Sequence, residues 1–190
     1  KDFGIVFDIS VHAGTLAAVI YYFKNEIQGL LYAWMPWKKT RSKEDFSLGL
    51  NLLVATLPIV AVGLLASDLT ETRSANIDSI AWANLVFAGL LYAAFKSSAQ
   101  SKSLTELTLF AALIIGCFQA LAVFPGASRS GMAITGALII GLNLKDTSKF
   151  AFLLSIPTIL GALVLMLAKG AYSIALSDML IMLTGFFGSA

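Results

Sequence analysis

The stretch Phe124-Pro125-Gly126-Ala127-Ser128-Arg129-Ser130-Gly131 separates two strongly apolar runs, residues 107–123 and 132–144. It combines a helix breaker, two glycines, two hydroxyls and one arginine. On insertion scales an arginine within hydrocarbon costs about 2.5–3.5 kcal/mol, so Arg129 needs a task or a partner. Pro125 removes a backbone donor and Gly126 relaxes the backbone, which predicts a break in the helix. A new helix is expected to start near Ser130 or Gly131, with its free amides and the positive end of its dipole facing the gap. Ser128 and Ser130 add hydroxyls, and Arg129 adds a fixed cationic fork. Such a set suits a phosphate or a carboxylate. The plainer reading of the same residues is a turn between helices, with Arg129 snorkelling to lipid phosphates.

The apolar surroundings are general. Of 190 residues, 58% are hydrophobic and 13% are charged, and the mean hydropathy is +0.84. Soluble domains carry about a quarter charged residues. The expectation is therefore an all-α polytopic membrane protein, with residues 1–190 forming one membrane domain and no soluble module. A net charge of +2, with no basic cluster interleaved with aromatics, speaks against a nucleic-acid partner. Cys117 is the only cysteine, which excludes intrachain disulfides and cysteine metal clusters. Lys1 is not a methionine, and the last residues, 185–190, lie inside an apolar run. Both ends suggest an internal fragment of a longer protein.

About six membrane segments are expected. Residues 3–23 form the first, and within it Asp8 and His12 share a helix face. Asp8 at the headgroup level, hydrogen-bonded to His12 or to a neighbouring helix, is the preferred reading over a proton relay or a metal pair, since two ligands without a third make no metal site. Residues 24–46 form a hydrophilic connection with an amphipathic, tryptophan-bearing middle. Its Lys38, Lys39, Arg41 and Lys43 place it on the cytoplasmic side. Residues 48–66, holding Pro58, and residues 80–95 are further spans. The slightly acidic 67–79 connection suits the outside, and 96–106 returns to the cytoplasm. Residues 107–124 and 132–144 either cross fully or form a re-entrant hairpin. Gly136 and Gly141, with Ala133 and Ala137, predict close helix packing. Residues 150–168, holding Pro157, and 178–190 complete the set.

Three segments carry a family resemblance. Gly116-Cys117-Phe118-Gln119-Ala120-Leu121-Ala122 leads into the Pro125–Gly131 string. Phe7-Asp8-Ile9-Ser10-Val11-His12-Ala13-Gly14-Thr15 precedes it, and Phe150-Ala151-Phe152-Leu153-Leu154-Ser155-Ile156-Pro157 follows. Together and in this order they resemble the undecaprenyl-diphosphate phosphatase family of the BacA (bacitracin resistance protein) type, whose second signature is Pro-Gly-x-Ser-Arg-Ser-Gly. The resemblance implies inverted repeats, each with a re-entrant loop, and a site open to the outer face of the bacterial cytoplasmic membrane. It implies hydrolysis of undecaprenyl diphosphate, which recycles the lipid carrier of cell-wall synthesis and is associated with bacitracin resistance. It also implies a divalent cation, magnesium or calcium, and the partners are then a polyprenyl diphosphate and membrane lipids. A homodimer is carried as the candidate assembly.

On this reading Arg129, Ser128 and Ser130 are the catalytic candidates, and Gly126, Gly131, Thr135 and Gln119 are the diphosphate-binding ones. Two departures qualify it. The family's first signature, rich in glutamate with a Ser-Ser-Thr-Gly-His string, would precede Lys1, so the metal ligands and the candidate nucleophile are expected outside this chain. The threonine often found two residues after the signature glycine is replaced by Ala133, with Thr135 as a substitute. For Gln119 an ordinary interhelical hydrogen bond is the competing reading. The rival function is a transporter or flippase that binds an anionic or lipid-phosphate substrate without hydrolysing it, since broken helices around a polar motif also mark secondary transporters.

Overall fold

The computed structural model describes residues 3–35, 42–65, 77–168 and 176–189. The Asp8 side chain, the Lys38, Lys39 and Arg41 cluster and most of the acidic 67–79 connection lie outside the described residues. The helices are α1 (Phe3–Tyr22), α2 (Lys24–Trp34), α3 (Lys43–Leu65), α4 (Ile77–Ser97), α5 (Leu109–Ala120), α6 (Arg129–Ile140), α7 (Leu144–Ala168) and α8 (Leu176–Ser189). Short 3₁₀ turns occupy Leu104–Glu106 and Leu121–Val123. Among the described residues the only β feature is an isolated parallel bridge between Lys102 and Leu142. Among the described residues three helices are long and apolar enough to cross a membrane, Lys43–Leu65, Ile77–Ser97 and Leu144–Val164. Many large apolar side chains face outward, Trp82, Leu85, Val86 and Tyr92 of α4 among them. For a helix in lipid that is the relaxed arrangement, because hydrocarbon is its solvent.

Contacts divide the chain into two compact units, residues 1–28 with 155–190, and residues 29–154. In the first, α1 packs on α8. Gly14 meets the Phe186 carbonyl and the Ser189 hydroxyl with no room for a Cβ. The Ser189 hydroxyl also donates to the Val11 carbonyl at 2.9 Å. His12 is exposed.

In the second unit α5 and α6 form a hairpin, with α3 against α5 and α4 against α6. Gly116 of α5 lies directly on the Ala55 carbonyl of α3, so the two backbones touch. The Asn51 amide donates to the Leu107 carbonyl at 2.9 Å and ties α3 to the start of the hairpin. On the other side the Ser98 hydroxyl donates to the Leu138 carbonyl at 2.6 Å. Gly136 rests on Phe118, its would-be Cβ 3.0 Å from the Phe118 Cβ, which bears out close packing at this glycine. Gly141 does something else. With φ of 95° it ends α6, and the Leu142 amide reaches back to the Ala137 carbonyl at 3.1 Å, the six-to-one bond of a Schellman cap.

The hairpin is short. α6 has 12 residues and so spans about 18 Å at 1.5 Å per residue, against a hydrocarbon core of about 30 Å. α5 has the same length before its 3₁₀ extension. Its two ends are fastened to each other. The Lys102 amide donates to the Gly141 carbonyl at 3.0 Å, and the Asn143 amide donates to the Lys102 carbonyl at 2.9 Å. Two apolar helices this short, joined by a tight turn, fit a re-entrant hairpin better than a pair of full spans.

Two elements start earlier than hydropathy alone suggests. α3 begins at Lys43 and runs through Pro58. α7 begins at Leu144 because Asn143 caps it, its side-chain oxygen accepting from the Asp146 amide at 2.9 Å. The Asp146 carboxylate in turn accepts from the Asn143 amide group at 2.9 Å and from the Leu104 backbone amide at 3.0 Å. Asp146→Ala leaves two part-buried donors unmet and is expected to lower stability by about 1–2 kcal/mol, measured as a fall in the thermal midpoint in detergent.

At the neighbouring 3₁₀ turn the Glu106 carboxylate accepts from the Ser103 amide at 2.8 Å and its hydroxyl at 3.2 Å. These bonds, the backbone one first, and then the charge of Lys102 hold Glu106 below its ordinary value of 4.5. A depressed carboxyl pKa stabilises the fold above the unfolded value and stops doing so as pH falls through the folded one. Glu106→Gln should therefore unfold slightly earlier than the parent at pH 7 and match it in acid, as pH-dependent thermal melts would register.

Candidate functional site

The break between α5 and α6 is a tight turn with a local cause. The Ala127 amide donates to the Phe124 carbonyl at 3.1 Å. Pro125 and Gly126 occupy the two central positions, and Gly126 has φ of 93°. Proline first and a positive-φ glycine second are what a type II turn demands. Gly126 is also pressed against α4, with its would-be Cβ 2.6 Å from the Ile80 carbonyl and 3.1 Å from the Ala83 Cβ. Conformation and space therefore both require glycine here.

The helix after the turn starts one residue before the expected range. Ser128 is its N-cap and Arg129 its first residue. The Ser128 hydroxyl accepts from the Gly131 amide at 3.2 Å, while the Ser128 carbonyl accepts from the Met132 amide at 2.9 Å. This changes which amides are free. Those of Ala127 and Gly131 are engaged. Among the described residues the amides of Ser128, Arg129 and Ser130 have no acceptor. The Ser130 hydroxyl stands 3.4 Å from that of Ser128. Arg129 is half-buried, and among the described residues its guanidinium has no hydrogen bond or ion pair. The same few residues thus hold a desolvated cation, three open amides, two hydroxyls and the positive end of a helix.

Gly126, Ser128, Gly131 and Met132 line one wall of a cavity of about 160 Å³. The fold therefore brings Gly126 and Gly131 beside Ser128. It does not bring Thr135 or Gln119 there. Thr135 is fully buried, and its hydroxyl donates to the Gly131 carbonyl at 2.7 Å inside α6. Gln119 is 1% exposed on the same face of α5 as Gly116, the residue that meets α3. Among the described residues its side-chain nitrogen has no partner. The two reasons differ: Thr135 lies two turns, about 10 Å, along α6 from the Ser128 cap, and Gln119, three residues after Gly116, shares the helix face that meets α3. Asn84 on α4, which the sequence reading passed over, also lines the cavity. Its signal was a lone amide in an apolar span.

A metal does not fit the residues at hand. Among the described residues no three of His, Cys, Asp and Glu come together, and the turn offers donors without a carboxylate.

A family model described as "Bacitracin resistance protein BacA" matches residues 1–190. The chain is 44% identical over 159 residues to the undecaprenyl-diphosphatase of Teredinibacter turnerae, covering 83% of this chain and 60% of that protein. It is 43% identical over 159 residues to the undecaprenyl-diphosphatase of Saccharophagus degradans, covering 84% and 60%. It is 41% identical over 162 residues to that of Alcanivorax borkumensis, covering 85% and 61%. The chain thus spans about 60% of the length of these relatives. With the signature string intact on the turn, and the match extending from the first residue to the last, the chain belongs to the bacitracin resistance protein BacA family.

Proposed function

We propose that the chain carries the phosphate-holding half of a membrane phosphatase. The overall reaction is attack of water on the terminal phosphorus of undecaprenyl diphosphate. The P–O–P anhydride breaks, and inorganic phosphate and undecaprenyl phosphate result. The observation that carries this reading is Arg129 at the head of a short re-entrant helix, half-buried and unpaired among the described residues, beside three open amides.

Phosphoryl transfer needs the equatorial oxygens neutralised and the leaving group stabilised, with an in-line nucleophile. The Arg129 fork suits two phosphoryl oxygens at once. The amides of Ser128, Arg129 and Ser130 can hold the bridging and inner phosphate oxygens, as successive amides do in anion nests. The Ser130 hydroxyl is a further donor, whereas Ser128 already spends one lone pair on its cap. The in-line nucleophile and a divalent cation, magnesium or calcium, belong to the same proposal as groups from outside these 190 residues. The same reading includes the bacterial cytoplasmic membrane, a site facing its outer side, inverted repeats and a homodimer.

The test is phosphate release from a polyprenyl diphosphate by the purified full-length protein in detergent. Turnover supports the reading. Tight binding of the lipid without phosphate release would favour a carrier instead.

A further inference from the structure

The cavity beside the turn has a second wall that the phosphate cradle does not use. Asn84, Phe87, Ala88 and Leu91 of α4 line it. Their spacing is i, i+3, i+4 and i+7, one stripe of a helix. Only the first is polar, and it lies one turn beyond Ile80, whose carbonyl meets Gly126. From that level the stripe runs about 10 Å along α4 in the direction of Ser98. The cavity therefore changes from polar to apolar along its length, with Ser128 at one end and Leu91 at the other. It holds about 160 Å³ and is open along one side, where Asn84 and Ala88 are exposed. A branched five-carbon unit fits that space, and a full polyprenyl chain does not.

We propose that this stripe is the subsite for the isoprene unit bonded directly to the diphosphate, with Ala88 setting the room available. This rests on the phosphatase reading above for the identity of the lipid. The apolar wall adjoins the turn at Gly126, Ser128 and Gly131, next to Arg129 in the chain, and this continuity is what commits the site to a hydrocarbon attached to a phosphate rather than to a free anion. Asn84 marks the level at which one gives way to the other. Its own side chain is steadied by donation to the Ile80 carbonyl at 3.1 Å.

Two measurements on the full-length protein test the proposal. Ala88→Phe fills the subsite from an exposed position on α4. KM for farnesyl diphosphate should rise roughly tenfold or more, while the inhibition constant of inorganic diphosphate stays within about twofold of the parent, because the cradle is untouched. An unchanged KM, or a parallel rise in both constants, would overturn the assignment. The second measurement needs no variant. A farnesyl diphosphate analogue with a diazirine on its first isoprene unit should label the α4 segment 84–91 or Met132, and labelling confined to other segments would overturn it. Labelling of α4 by a protein that releases no phosphate would sink the phosphatase reading and leave the subsite standing. Phosphate release with labelling elsewhere would do the reverse.

Discussion

Replacing Arg129 with alanine is expected to lower phosphate release from a polyprenyl diphosphate by about 10³-fold or more, the usual effect of removing an arginine that meets a transferring phosphoryl group. The guanidinium has no partner among the described residues, so its desolvation is not compensated inside them. It sits at the first position of α6, where a positive charge is unfavourable next to the helix dipole. Both costs vanish when a diphosphate binds, because the anion pairs with the cation and satisfies the open amides together. Arg129→Lys keeps the charge but loses the planar fork, so it should recover only part of the rate. Steady-state phosphate release by the full-length variants, with circular dichroism to confirm their helix content, is the measurement. Near-parental turnover in Arg129→Ala would mean that Arg129 only snorkels to lipid.

Gly126→Val is expected to have the second largest effect, on folding and on turnover at once. A β-branched residue at φ of 93° is strained whatever the space around it. The space is also missing, since the Ile80 carbonyl is 2.6 Å from the would-be Cβ and belongs to the backbone of a helix that cannot yield locally. The two penalties together come to roughly 3 kcal/mol or more. Either α4 is pushed off the hairpin or the turn opens. Both displace Ser128 and Arg129 and leave the cradle unassembled. The check is the thermal midpoint in detergent together with phosphate release. Gly126→Ala, with the same strain but less bulk, should fall between parent and Val. A Gly126→Val protein with parental melting and turnover would show that the turn does not need this geometry.

These two substitutions lie one short turn apart, yet they probe different levels of determination. The positive-φ glycine is legible in sequence, because Pro-Gly at the centre of a turn has one favoured geometry. Its contact with Ile80 is not legible, because α4 precedes it by almost fifty residues. Arg129 is likewise legible as a costly cation at a helix break. Its place as the first helical residue is decided by the Ser128 hydroxyl reaching the Gly131 amide. Two hydroxyls, Ser128 and Ser130, compete for that role in the sequence, and only one has the backbone angles of a cap. That choice then removes the Gly131 amide from the set available to a ligand.

The sequence by itself determined the membrane class, the helical content, the broken helix and the chemistry of its turn. Hydropathy, proline and glycine act locally, and so does the mismatch between an arginine and hydrocarbon. Only the tertiary structure decided how the hairpin is built and closed, since the caps at Ser128 and Gly141 shorten α6 and the bonds between Lys102 and Asn143 fasten its ends. It alone decided that Thr135 and Gln119 face packed helices while Asn84 faces the cavity. Helical phase relative to a neighbour is set by contacts such as Gly116 on Ala55 and Gly126 on Ile80, and those join residues that no local pattern connects.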